Sequence, residues 1–211
     1  MPNITAPAFS FPSKSFPAQQ AGAPAGAMGE LSMSELLGKY ATLAKSGKMF
    51  YTSAIITAPV IFSTAAQLGP MLWNKPGSNI DVHLLAVSVG SPTTASTVAG
   101  AIGWATNNAG AQPVTPTVIT AVNAYAGGGT SALAVGGVLS TATVLVLPVP
   151  IFFPLIAVNT GAITTGALTS NYVDVGGAFI VAPGNVGYVC ASATLTAGVF
   201  TIGILWAELP A

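Results

Sequence analysis

Few residues in this chain are of types that could do chemistry. Its 211 residues include one histidine (His83), one cysteine (Cys190) and five acids: Glu30, Glu35, Asp81, Asp174 and Glu208. His83 follows Asp81 by two positions in the run IDVHLLAVSV, so on a strand the two share a face. A zinc site needs three or four nitrogen, sulfur or carboxylate ligands, and general-base catalysis needs a nucleophile within hydrogen-bond reach. The sequence around His83 offers neither, which predicts a polar strand residue hydrogen-bonded near Asp81. Asp81 and Asp174 could in principle form the paired carboxylates of glycoside hydrolysis, but loop or cap roles are the simpler expectation. Glu208 follows Trp206 on the same strand face, where the strand is expected to emerge to solvent or to a neighbour. Cys190 lies between Val189 and Ala191, which predicts a buried, inert thiol. A single cysteine makes no internal disulfide. Trp73, Trp104 and Trp206 are of a type that stacks on sugars, but core or interface packing is expected of them. Gly127-Gly128-Gly129 lacks a following Lys-Ser/Thr and is read as a flexible loop. No catalytic or nucleotide-binding motif stands in a strand–helix context. The chain is therefore read as a non-enzyme with no catalytic residue, metal or cofactor.

Composition narrows the partners. Only 5% of residues are charged, against about 25% in ordinary soluble domains. Five lysines and no arginine balance the five acids, for a net charge of zero. Near-zero net charge removes the repulsion that keeps molecules apart, so much of this surface is expected to be covered by other protein. Without arginine or a basic stripe, nucleic-acid binding is not expected. The mean hydropathy of +0.71 raises the question of a membrane. The greasiest run, VLVLPVPIFFPLIAV (144–158), is shorter than the ~20 residues a spanning helix needs and is broken by Pro148, Pro150 and Pro154. No membrane segment is expected, and the N-terminus lacks the form of a signal peptide.

Two elements precede the main body. Residues 1–30 form an arm punctuated by Pro2, Pro7, Pro12, Pro17 and Pro24, with Phe9, Phe11 and Phe16. X-Pro steps disfavour helix, so the arm is expected to be extended, with its Phe rings as anchors on a neighbour. Residues 31–48 form a helical linker. Ser32 and Glu35 make a capping box, Met33, Leu36, Leu37, Tyr40, Leu43 and Ala44 an apolar stripe, and Gly47 the stop.

Residues 49–211 are read as β. Strands are expected at Phe50–Val60, Ile61–Ala66, Ile80–Val89, Ala101–Thr106, Val114–Ala124, Val138–Val146, Ile151–Val158, Tyr172–Val175, Ala178–Val181, Val186–Ala191 and Val199–Leu209. Leu72–Ser78 is expected to be a loop. Pro183-Gly184 fits the two central positions of a type II turn. In the last strand, Phe200, Ile202, Ile204 and Trp206 form the core face. Val199, Thr201, Gly203 and Leu205 form the face expected to meet another element or subunit. Many short strands separated by turn signals predict a mainly β fold, a jelly-roll-like antiparallel sandwich.

Three stretches carry a resemblance: LWNKPGSN (72–79), the apolar step AFIVAPG (178–184) and the ending GILWAELP (203–210). Together they resemble small, uncharged, Ala/Gly/Thr-rich virion structural proteins of tailed bacteriophages, over about residues 70–211. That resemblance implies a capsid decoration (cement) or tail-associated protein, usually a homotrimer. Its partners would be its own copies and the major capsid protein or a tail component. It would be made in the host cytoplasm and localised to the phage particle. The arm and helix fall outside the resemblance. Phe9, Phe11, Phe16, Leu36, Leu37 and Tyr40 are the expected attachment residues, with Leu205 at the body's interface. The alternative is a tail or fibre module that binds a receptor or glycan through loops near Trp104–Asn108 and Gly127–Ser131.

Overall fold

The structure, a computed structural model, describes residues 40–57, 59–90, 98–107, 114–133, 136–144, 151–158, 170–195 and 199–211. The chain forms two units, Met1–Thr42 and Leu43–Ala211. Every strand below lies in the second. The helix predicted over 31–46 is described only at its end, α1 (Ala41–Lys45). Its stop is as expected. Gly47 takes φ +69°, its N–H donates to the Ala44 carbonyl at 2.9 Å, and the Lys48 N–H donates to that of Leu43 at 3.1 Å. This is a Schellman cap, which glycine favours because a Cβ is strained at positive φ.

The described strands are β1 (Met49–Thr57), β2 (Ala66–Asn74), β3 (Ile80–Gly90), β4 (Gly100–Asn107), β5 (Val114–Val118), β6 (Val122–Asn123), β7 (Val138–Thr143), β8 (Ile151–Val158), β9 (Ser170–Val181), β10 (Asn185–Ala191) and β11 (Val199–Pro210). Their pairing is nested. β1 pairs with β11, β2 with β10, β3 with β9 and β4 with β8, all antiparallel. The chain thus pairs as one long hairpin that has been rolled up. Contacts β11–β3 and β10–β4 join alternate pairs. The result is a five-stranded sheet, β6-β1-β11-β3-β9, facing a six-stranded sheet, β5-β7-β2-β10-β4-β8. The fold is mainly β, built on two antiparallel sheets, as the sequence predicts. The stretch between β4 and β8 contributes β5, β6 and β7, which widen both sheets.

Strand alternation divides the apolar residues into two layers. Between the sheets lie Phe200, Ile202, Ile204 and Trp206 of β11, Leu84, Val87 and Val89 of β3, and Leu72, Trp104 and Val189 opposite them. The predicted core face of β11 is correct, with each of its four residues at most 2% exposed. A second apolar layer, including Met71, Trp73, Leu139, Val186, Tyr188 and Cys190, lies on the other face of the six-stranded sheet. The turn after β1 folds over part of it. Phe62 stacks on Phe152 with ring centroids 5.1 Å apart, its N–H donates to the Ala191 carbonyl, and its carbonyl accepts from the Tyr188 hydroxyl at 3.2 Å.

Several boundaries differ from the sequence reading. Ile61–Ala66 is not a strand. Ile61 makes an isolated bridge to Ala191, and a turn follows, held by the Gln67 amide donating to the carbonyls of Ile61 (3.0 Å) and Thr64 (2.5 Å). Leu72–Asn74 is not loop; it completes β2, and the loop begins at Lys75. Gly69-Pro70 hides this strand in the sequence. The ladder to β7 shifts register between Leu68 and Met71, so Pro70 sits at a bulge, where a missing N–H is tolerated within a sheet. The two short strands expected at Tyr172–Val175 and Ala178–Val181 are one strand, β9, which passes through a bulge at Gly176-Gly177 with φ +63° and +84°. The Pro183-Gly184 turn is as predicted. Gly184 has φ +85°, and the Asn185 N–H donates to the Ala182 carbonyl at 3.1 Å.

Candidate functional site

The three stretches that carry the resemblance meet at one end of the sandwich. Asn74, fully buried, donates from its amide to the carbonyls of Ile80 (2.7 Å) and Val181 (2.8 Å). Its side-chain oxygen accepts from the Ser78 hydroxyl, and its backbone carbonyl from the Gly184 N–H. β11 closes the corner: Leu209 pairs with Asp81 and Pro210 with Ile80. The Ala211 N–H donates to the Asn79 carbonyl. A buried amide with its donors and acceptor engaged fixes geometry and leaves nothing free for a ligand. This corner is structural.

Glu208 differs from its expectation. It does not emerge to solvent; it is 5% exposed. One carboxylate oxygen accepts from the Trp206 indole N–H at 3.1 Å and from the Ser131 hydroxyl, and the other accepts from the Ala132 N–H at 2.8 Å. Glu208 is thus a peg that ties the 131–133 turn to β11. It has the parity of the apolar residues before it, a mark visible in the sequence, but its partner lies 77 residues away. Beside it is a cavity of about 310 Å³ that also touches Lys48, Phe50 and Thr130.

The other chemistry-bearing residues do not assemble. Asp81 faces Leu209, whereas Asp174 faces Ala86. Five positions along β3 put the two roughly 16 Å apart at ~3.3 Å per residue, beyond the ~9.5 Å upper limit of paired glycosidase carboxylates. His83 is half-buried on β3, near Gly177 of the β9 bulge. No group of three or more His, Cys, Asp or Glu side chains that could hold a metal occurs among the described residues. Burial pushes the Cys190 thiol far up, so it stays protonated and unreactive. Trp104 is 1% exposed, in the core between the sheets, and Ser131 is held by Glu208. Asn108, at the end of the first of the two loops expected to bind glycan, lies outside the described residues.

A trough on the outer face of the five-stranded sheet contains Leu205 of the predicted interface. In its register, Tyr51 of β1 faces Leu205, which faces Ala86. Next to that row, Ser53 faces Gly203, Gly203 faces Ser88, and Ser88 faces Tyr172 of β9. Small residues on the two middle strands form the floor and two tyrosines the walls, three strand spacings or roughly 14 Å apart. The trough has a volume of about 250 Å³. Tyr51 is 47% exposed and Tyr172 62%. Its lining residues carry no charge, and exposed Asp174 faces Ala86 at its β9 edge. Leu205 lies in it, as the sequence placed it. Tyr40 is half-buried at the start of the described chain. Phe9, Phe11, Phe16, Leu36 and Leu37 lie outside the described residues.

Among the described residues, no helix is long and apolar enough to cross a membrane. No protein-family model, curated protein or solved structure matches this chain.

Proposed function

We propose that this chain is a structural protein of a bacteriophage virion, a capsid decoration or cement protein that trimerises and stabilises the capsid lattice through its N-terminal arm. The observation that carries the reading is the outer face of the five-stranded sheet of a mainly β body, partly apolar and carrying few charges, Asp81 and Asp174 among them. Ile55 on that face is 74% exposed and Tyr172 62%. A chain with 5% charged residues that leaves such a face open is suited to a crowded assembly in which neighbours cover it. Apolar area buried between subunits contributes about 25 cal/mol per Å², and closed symmetry repeats that gain at every copy. The partners are other copies of the chain and the major capsid protein. The work is mechanical, with no chemical step.

The test is the position and copy number of the chain in purified particles, by electron microscopy and quantitative mass spectrometry. Regular occupancy at lattice positions on the capsid surface supports the reading. Its absence from particles overturns it, and density at the tail tip moves the chain to the tail. Substituting Phe9, Phe11 and Phe16 together by Ser should release it from the particle while leaving the β-domain folded.

A further inference from the structure

The trough between Tyr51 and Tyr172 has a matching occupant in the chain's own sequence. We propose that the Phe-Pro arm of one copy docks in this trough on a second copy, through Phe11-Pro12 or Phe16-Pro17. This is an association between copies and does not depend on which particle, if any, they join.

Size, chemistry, charge and length all fit. A cavity of ~150 Å³ accepts a benzene ring, so a trough of about 250 Å³ holds one Phe ring with the proline beside it. Grooves walled by aromatic rings take proline-rich extended segments, because the segment is already ordered and the ring faces pack flat on pyrrolidine. The arm carries five prolines in its first 24 residues and two Phe-Pro steps. Its first 29 residues hold a single charged side chain, Lys14, so the arm brings almost no ion to be stripped of water, and Asp174 at the trough's edge is exposed and keeps its water. Thirty-nine residues precede Tyr40. Phe16 lies 24 residues before Tyr40; with the stretch up to residue 31 extended at ~3.3 Å per residue and the rest helical at ~1.5 Å, the span reaches ~60 Å, beyond the ~40 Å length of a 12-residue strand such as β11. The arm is long enough to leave one body and seat on another.

A second copy is the favoured seat because the face is larger than an arm segment can cover. Ile55 and Ile180, 74% and 50% exposed, lie on the same face on either side of the trough. Bringing up a neighbour with its arm would shield them as well.

Cysteine cross-linking of the full chain tests this. Two differently tagged chains are co-expressed, one carrying Ser15→Cys on the arm and the other Ser53→Cys in the trough. Both sites replace a hydroxyl with a thiol of similar size, Ser53 is exposed, and the native Cys190 is buried. Mild oxidation is expected to yield a covalent dimer containing both tags on a denaturing gel. Adding Phe11→Ser and Phe16→Ser to the arm, or Tyr172→Ser to the trough, should reduce that band at least fivefold. A bridge that forms only within one chain carrying both cysteines overturns the proposal in favour of the arm covering its own face. A dimer band insensitive to these substitutions, or no cross-link in either arrangement, overturns it outright.

Discussion

The Asn74 amide donates a 2.8 Å hydrogen bond to the carbonyl of Val181, 107 residues further along the chain. That bond joins the end of β2 to the end of β9, the strand that leads through the Pro183-Gly184 turn into β10, which pairs with β2. The same amide reaches Ile80 at the start of β3. One buried side chain therefore sets the corner where the two sheets exchange strands. Asn74→Ala leaves two carbonyls and the Ser78 hydroxyl without their partner. Unsatisfied buried groups cost ~1–3 kcal/mol each. A loss of about 2–4 kcal/mol in urea unfolding is expected, with the slope unchanged. A loss below 0.5 kcal/mol would show that water fills the place of the amide.

Glu208 is expected to hold the 131–133 turn more than the body. Glu208→Gln keeps an acceptor for Trp206 and Ser131 but sets an NH₂ group against the Ala132 N–H. The variant should lose about 1–3 kcal/mol and show faster amide exchange at Ala132 and Leu133. Exchange that rises equally across the β11 amides would contradict a local role.

Gly187 makes room for an indole. A Cβ there would stand 2.3 Å from Trp104 Cζ2 and 2.8 Å from Val181 Cγ2. Both neighbours are buried between the sheets, so neither can swing into solvent. Gly187→Ala is expected to cost about 1–3 kcal/mol through overpacking and to alter the Trp104 fluorescence. A variant with unchanged melting temperature would refute this packing.

Alkaline pH should weaken the fold. Burial raises the Cys190 thiol, and burial followed by the nearby Cys190 raises the Tyr188 hydroxyl. Both stay protonated in the folded chain, while in the unfolded chain they ionise near their ordinary values of ~8.5 and ~10. Their contribution is full below the unfolded values and is lost as pH climbs from there toward the folded values. The slope is at most ~1.4 kcal/mol per pH unit per group. Cys190→Ala should flatten the fall between about pH 8.5 and 10, measured by denaturant midpoint against pH.

The two faces of β11 should separate stability from association. Ile202 is fully buried, and Ile202→Ser should cost at least the ~2–5 kcal/mol of an Ile→Ala truncation. Leu205→Ser, in the trough, should change stability by less than ~1 kcal/mol but lower the sedimentation coefficient of any oligomer. Equal losses of stability at the two positions would mean that Leu205 is core.

Some of this was legible in the sequence because it depends on neighbours in the chain. Glycine at positive φ stops the helix at Gly47 and turns the chain at Gly184. Alternation gives β11 its core face, and an apolar setting buries Cys190. The remainder depends on what lies across the sheet. β2 contains Gly-Pro, which punctuates an isolated chain but is absorbed at a bulge between two partner strands. Glu208 looks like a strand end until Ser131, 77 residues away, meets it. The trough arises because Ser88, Gly203 and Ser53 fall into one row, a register that none of the three strands encodes alone. Dihedral preference is a property of a residue and its neighbours, and the sequence determined it. Pairing partner, register and burial are properties of the assembled sheets, and only the tertiary structure decided them.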